Sequence, residues 1–109
     1  MNFEWNVSQR QNSWSLQFSG ELTRRTLLPL WQQRASLFAE NAFSSPESCL
    51  YIELNRLQMV DSAGFVLICE ILHHYSRQSR VKLVAVPHLV RDFAELYDLE
   101  EWLTPFIQQ

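Results

Sequence analysis

The stretch VDSAGF, residues 60–65, brings together a carboxylate, a hydroxyl and one of only two glycines in this 109-residue chain. Ser62 within it could be a nucleophile, a phosphate acceptor or part of a helix cap. A serine nucleophile needs a general base. The three histidines are His73, His74 and His88, and the sequence places none of them near Ser62. We therefore expect no serine catalysis.

Other catalytic and cofactor signatures do not occur in the sequence. Two glycines cannot build a phosphate cradle, and neither a P-loop nor a G-x-S-x-G elbow is present. His73 and His74 are adjacent on a predicted helix, so their side chains diverge by ~100° and cannot chelate one ion. We expect a protein that is not an enzyme and needs no cofactor or metal.

Composition narrows the class of partner. Nine basic and twelve acidic residues give a formal net charge of −3, and the Arg24 and Arg25 pair is too small for a nucleic-acid patch. The longest apolar run, residues 65–69, is far below the roughly 20 residues of a membrane span. Cys49 and Cys69 are expected to be buried thiols in a reducing cytosol. We expect one domain, residues 1–109, with no nucleic-acid binding and no direct membrane insertion.

The hydrophobic pattern begins with two strands. Apolar residues alternate with polar ones over residues 3–7 and again over residues 13–19. The polar segment 8–12 between them is short enough for a hairpin loop, so these strands should pair antiparallel. Gly20 is expected to end the second strand.

Helices and strands then alternate. Residues 49–54 and 81–86 read as inner strands, and residues 63–78 as the helix that connects them in a parallel βαβ unit. The other predicted helices span residues 23–43, with Pro29 at the start of the regular part or at a kink, and residues 89–97, before a last apolar turn. The fold class is therefore α/β, a small mixed sheet of about four strands with helices mainly on one face.

The segment NRLQMVDSAGFVLICEIL, residues 55–72, closely resembles the signature of STAS domains, the fold of bacterial anti-sigma-factor antagonists. Residues 19–34 and 89–103 resemble the first-helix and last-helix regions of the MlaB branch of that family. Members of this branch are subunits of the Mla phospholipid ABC transport system of Gram-negative bacteria. The resemblance extends over essentially the whole chain and implies a single STAS domain.

The resemblance also implies a function. It predicts a cytoplasmic subunit, peripheral to the inner membrane, that binds the MlaF-like ATPase of the ABC transporter in a complex with permease and substrate-binding subunits. Such a subunit would support the assembly and activity of the transporter without hydrolysing ATP. The residues expected at the contact are Ser62, Ala63, Gly64, Phe65, Trp31, Leu28 and Arg24.

The residues leave two roles for Ser62 open. Phosphoswitch antagonists carry Asp-Ser-Ser-Gly and are phosphorylated on the serine that corresponds to Ser62, whereas Ala63 follows it here. The alternative function is therefore an anti-sigma factor antagonist switched by phosphorylation of Ser62. Either Asp61 or Ser62 could cap the following helix. Trp31 could be a core residue or an interface anchor.

Overall fold

The computed structural model describes residues 2–108. A four-stranded sheet carries four short or medium helices, and a turn of 3₁₀-helix follows the last of them. In chain order the elements are β1 (Phe3–Arg10), β2 (Ser13–Leu22), α1 (Leu28–Gln33), β3 (Cys49–Val60), α2 (Ser62–Tyr75), β4 (Arg80–Val84), α3 (His88–Leu96), α4 (Glu100–Leu103) and the 3₁₀ turn Thr104–Phe106.

The sheet has the strand order β1-β2-β3-β4. β1 and β2 form an antiparallel hairpin, whereas β2 pairs parallel with β3, and β3 pairs parallel with β4. The predicted mixed four-stranded sheet and the parallel βαβ unit from β3 to β4 are therefore confirmed, whereas the prediction that β4 is an inner strand is wrong, because it lies at the edge of the sheet. Within residues 2–108, no helix combines the length and the hydropathy required to cross a bilayer.

The core lies between one face of the sheet and the helices. Leu16, Ile52 and Leu83 face each other across β2, β3 and β4, and all three are fully buried. α2 packs on this ladder and buries seven of its 14 residues, because its sequence is apolar nearly all round. Ser15 and Tyr51, in register on the opposite face of the sheet, are only half-buried. Helices therefore cover one face, as expected.

Two strands, β2 and β3, are longer than the sequence predicts. β2 continues through Gly20 to Leu22. Gly20 has a φ of +93°, and a side chain at this position would lie 2.1 Å from the carbonyl oxygen of Asn2. Gly20 therefore allows the backbones of β2 and Asn2 to approach closely and does not end the strand. β3 continues past Leu54 to Val60, because its polar second half pairs with β2 through register shifts.

The predicted helix over residues 23–43 is wrong for most of its length, since α1 spans only Leu28–Gln33. Phe38 and Phe43 explain the difference. Their ring centroids are 5.2 Å apart, and both rings contact Trp14 and Tyr75. Residues five apart on an α-helix point ~140° apart, so a continuous helix could not bring both rings to one cluster. Irregular backbone allows it.

The Tyr75 hydroxyl fixes this irregular segment to α2. It donates to the carbonyl oxygen of Arg34 at 2.7 Å and accepts from the N–H of Leu37 at 3.3 Å. Tyr75→Phe leaves both backbone groups without this partner, so we expect the free energy of unfolding to fall by about 1–3 kcal/mol. Urea unfolding measures the loss. Tyr97→Phe, at an exposed tyrosine, is the control, and equal effects of the two changes would contradict the role of this hydroxyl.

Candidate partner-binding site

The Asp61 carboxylate joins two loops at one end of the sheet. Its Oδ1 accepts from the N–H of Gly64 at 2.8 Å, which caps α2. Its Oδ2 accepts from the N–H of Arg24 at 2.9 Å, in the loop between β2 and α1. Asp61 is therefore the helix cap, and Ser62 is left as the first helical residue. The same carboxylate places Arg24 beside the VDSAGF loop.

Gly64 lets α2 approach β2. A side chain at this position would lie 2.2 Å from the carbonyl oxygen of Leu22 and 2.9 Å from a methyl group of Val60. The first atom belongs to the backbone, so it cannot move aside as a side chain would. Gly64 is buried and is thus a packing requirement of the loop, not a group that a partner would touch.

Phe65 also lies away from the surface, which corrects its expected place at a contact. Its side chain is only 1% exposed, and its ring lies 5.7 Å from that of Phe93 and 6.0 Å from that of Tyr97. The helical period explains this orientation. Successive residues of an α-helix point ~100° apart, so Phe65 faces α3 while the next residue, Val66, remains exposed.

Ser62 and Arg24 line one open recess of about 330 Å³, together with the half-buried Ala63. Ser62 is exposed, and its position at the start of α2 places it where the helix dipole favours negative charge. The exposed side chain of Met59 forms an apolar wall of the recess. The structure thus brings together three of the residues expected at the contact.

Trp31 is partly exposed, at 36%, whereas Leu30 is the buried residue of α1. The guanidinium of Arg34 lies 3.7 Å from the centroid of the Trp31 ring, and its Nε lies 3.7 Å from Oε1 of Glu70 on α2. The indole therefore borders α2 through a cation–π contact and an ion pair. Leu28 is 56% exposed and lies beside Trp31 on the same helix.

One stripe of α2 faces outward between its neighbours and is only partly covered. It consists of Ser62, Val66, Glu70 and His73, spaced three or four residues apart, and Val66 is 55% exposed. Val66 and Glu70 also border a shallow groove whose far wall is Leu99 and Trp102. We define the helical surface as this stripe together with Leu28 and Trp31 on α1, Leu96 at the end of α3 and Tyr97 directly after it.

Among the residues that sequence reasoning did not place at the contact are Val66, Leu96 and Tyr97 of the helical surface and Trp102 of its groove. Val66 had a usable signal, because α2 is apolar nearly all round and a helix on one face of a sheet cannot bury every side. The exposure of Leu96 and Tyr97 had no such signal, since it depends on where α3 ends against α2.

A family model described as "Mlab, STAS domain" matches residues 5–107. The chain belongs to this family. The chain is 33% identical over 104 residues to the intermembrane phospholipid transport system binding protein MlaB of Haemophilus influenzae. The alignment covers 94% of this chain and 97% of that protein. It is 30% identical over 100 residues to the protein of the same description from Escherichia coli, covering 91% of this chain and 95% of the relative.

The fold of this STAS domain also matches solved structures. An anti-sigma factor antagonist from Mycobacterium paratuberculosis superposes with a TM-score of 0.69 at 20% identity, covering 93% of this chain and 82% of that one. At this identity the likeness concerns the fold alone. The family and the fold expected from residues 55–72 are thus both confirmed.

Substitution of Gly64 tests the close approach of α2 to β2. Gly64→Ala places a methyl group against the Leu22 carbonyl, so we expect the free energy of unfolding to fall by about 1–3 kcal/mol. Thermal or urea unfolding gives the value. Ser62→Ala, at an exposed position of the same helical turn, should change it by less than about 0.5 kcal/mol. A neutral Gly64→Ala would show that the loop has room to relax.

Cys69, in the groove, gives a pH-dependent prediction. Both cysteines are free thiols, and burial raises the pKa of the Cys69 thiol from 9.0 to about 11. The thiolate is the reactive form, so a raised pKa reduces its fraction at pH 8 by about 100-fold. In a Cys49→Ser background, we expect iodoacetamide alkylation to be slow at pH 8 and to accelerate as the pH approaches 11. Equal rates for folded and urea-unfolded protein at pH 8 would contradict this.

Proposed function

We propose that this chain is a non-catalytic subunit that binds the ATPase of an intermembrane phospholipid ABC transporter and supports the assembly and activity of the complex. The ATPase is of the MlaF type, and the complex also holds permease and substrate-binding subunits. The chain would lie on the cytoplasmic side of the inner membrane and be attached there through its partner. The contact is the helical surface together with the recess at Ser62 and Arg24.

The observation that carries this proposal is the exposure of several large apolar side chains on one layer of a small domain. Leu96 at the end of α3 is 71% exposed, and Val66 on α2, Leu28 on α1 and Tyr97 directly after α3 are each about half exposed. Contiguous apolar groups at a protein surface favour a protein partner. Trp31 and Tyr97 are residue types that often anchor such contacts.

The chemistry of the helical surface supports docking over catalysis. Apolar contact area is provided by Val66, Trp31 and Leu28. The guanidinium of Arg34 already contacts the Trp31 ring and pairs with the Glu70 carboxylate, so neither group is free to act in a reaction. Ser62 adds one small polar group at the rim, where its hydroxyl can be hydrated or bonded to a partner.

The relatives supply the kind of partner. Two of them carry the description of a binding protein of an intermembrane phospholipid transport system, and the chain aligns with nearly all of each. The choice of the ATPase as the subunit bound follows from the resemblance of residues 19–34 and 55–72 to the MlaB branch. Together these favour a transporter subunit over a free regulator.

The alternative, an anti-sigma factor antagonist, would use Ser62 differently. A phosphate on Ser62 would add about −1.5 to −2 charges at the N-terminus of α2, which the helix tolerates. In a docked complex the same charges would be desolvated against the partner. The two functions therefore differ in the partner that is bound and in whether a pool of protein phosphorylated on Ser62 is required.

Co-purification from solubilised inner membranes tests the proposal. Tagged wild-type protein should retain the ATPase and the permease, whereas Val66→Asp, Trp31→Ala and Ser62→Asp should each reduce the amount retained at least ~10-fold, since loss of an interface anchor costs about 2 kcal/mol or more. Ser44→Asp is the matched control for Ser62→Asp, because Ser44 is an exposed serine before the start of β3, whereas Ser62 follows the end of that strand.

The outcomes separate the two functions. Retention of the ATPase by all three variants would place the contact elsewhere. Failure of the wild-type chain to retain any transporter subunit would overturn the proposal. The antagonist function would instead require a phosphorylated pool of protein, visible as an 80-Da increase in intact mass of protein from its own cells and abolished by Ser62→Ala.

A further inference from the structure

The outer edge of β1 is a long unpaired strand edge. Within residues 2–108, β1 pairs only with β2, over all eight of its residues and without a register shift. It contains no proline, lysine or β-bulge, which are common features that protect strand edges from pairing. The opposite edge differs, because Ile107 bridges to Leu83 on β4 and Gln108 donates to the Leu83 carbonyl.

The backbone of β1 presents a regular set of hydrogen-bonding groups at this edge. The N–H of Glu21 donates to the carbonyl of Asn2, so Asn2 faces β2. Orientation alternates along an antiparallel strand, and therefore Phe3, Trp5, Val7 and Gln9 direct their N–H and C=O groups outward. Four successive outward residues are enough for a hydrogen-bonded ladder with another strand.

The side chains of β1 make this edge complementary to itself. Glu4 and Arg10 are the only charged residues of β1, and their even spacing places both on the solvent-facing side of the sheet. In an antiparallel pairing centred on Val7, Glu4 lies opposite Arg10 of the second copy, and Arg10 lies opposite its Glu4. Val7 then meets Val7 as a hydrogen-bonded pair, which matches its outward backbone groups.

We propose that the outer edge of β1 pairs antiparallel with β1 of a second copy, in the register that places Val7 opposite Val7, so that two domains share one eight-stranded sheet. The pairing is isologous, as a twofold dimer requires. Shifting the centre by one residue, to Asn6, would place Glu4 opposite Ser8 and lose both ion pairs. The half-buried Phe3, Trp5 and Val7 on the helical side would gain cover from the neighbouring copy.

Charge reversal tests both the pairing and its register. Sedimentation equilibrium should give a monomer–dimer equilibrium for the wild-type chain. Glu4→Arg places two like-charged pairs in the dimer, and so does Arg10→Glu, so each should raise the dissociation constant about tenfold. The double variant Glu4→Arg/Arg10→Glu restores both attractions and should return to the wild-type constant. An equimolar mixture of the two single variants should form a heterodimer for the same reason.

The controls separate pairing from folding and from net charge. Glu40→Arg and Arg77→Glu make the same charge changes at exposed positions outside β1 and should leave the dissociation constant unchanged. Unfolding curves of the single variants should match the wild-type curve under monomeric conditions. A wild-type chain that stays monomeric up to its solubility limit overturns the proposal. Weakened single variants that neither the double variant nor the mixture rescues overturn the register.

Discussion

The Asp61 carboxylate is the constraint on which the arrangement of the site depends. Its two oxygens accept from Gly64 and Arg24, so one side chain both begins α2 and fixes the loop that leads into α1. The approach of α2 to the Leu22 carbonyl is possible only because residue 64 lacks a side chain. Cap and glycine act together, and they place Ser62 at the surface with Arg24 beside it.

Residues within one turn of α2 have different roles, at the surface or in the core. Ser62 and Val66 face outward, while Phe65 fills the space between α2 and α3. The burial of Phe65 supports the exposed pair, since the ring fixes the rotation of the helix about its axis. A helix that is apolar nearly all round can thus serve the core on most of its circumference and still present an apolar stripe.

The sequence predicted the sheet, the βαβ unit and α2 because alternation and helical periodicity are strong there. It failed at Phe38 and Phe43, where an apolar spacing close to helical is used by an irregular segment that packs against Trp14 and Tyr75. It also failed at Gly20, which allows a close approach to the carbonyl of Asn2 and does not end β2. In the site, Ser62 and Arg24 could be predicted as contact residues from the motif and the family resemblance. The exposure of Leu96 and Tyr97 could not, because it depends on tertiary packing alone.

The helical surface and the outer edge of β1 use different parts of the domain. The first consists of side chains of α1, α2 and α3, and the second consists mainly of backbone groups at the far side of the sheet. Occupation of one therefore need not block the other. A twofold pair joined through β1 would present two copies of the helical surface related by the same axis, so a partner that is itself twofold symmetric could engage both and gain affinity without any new contact.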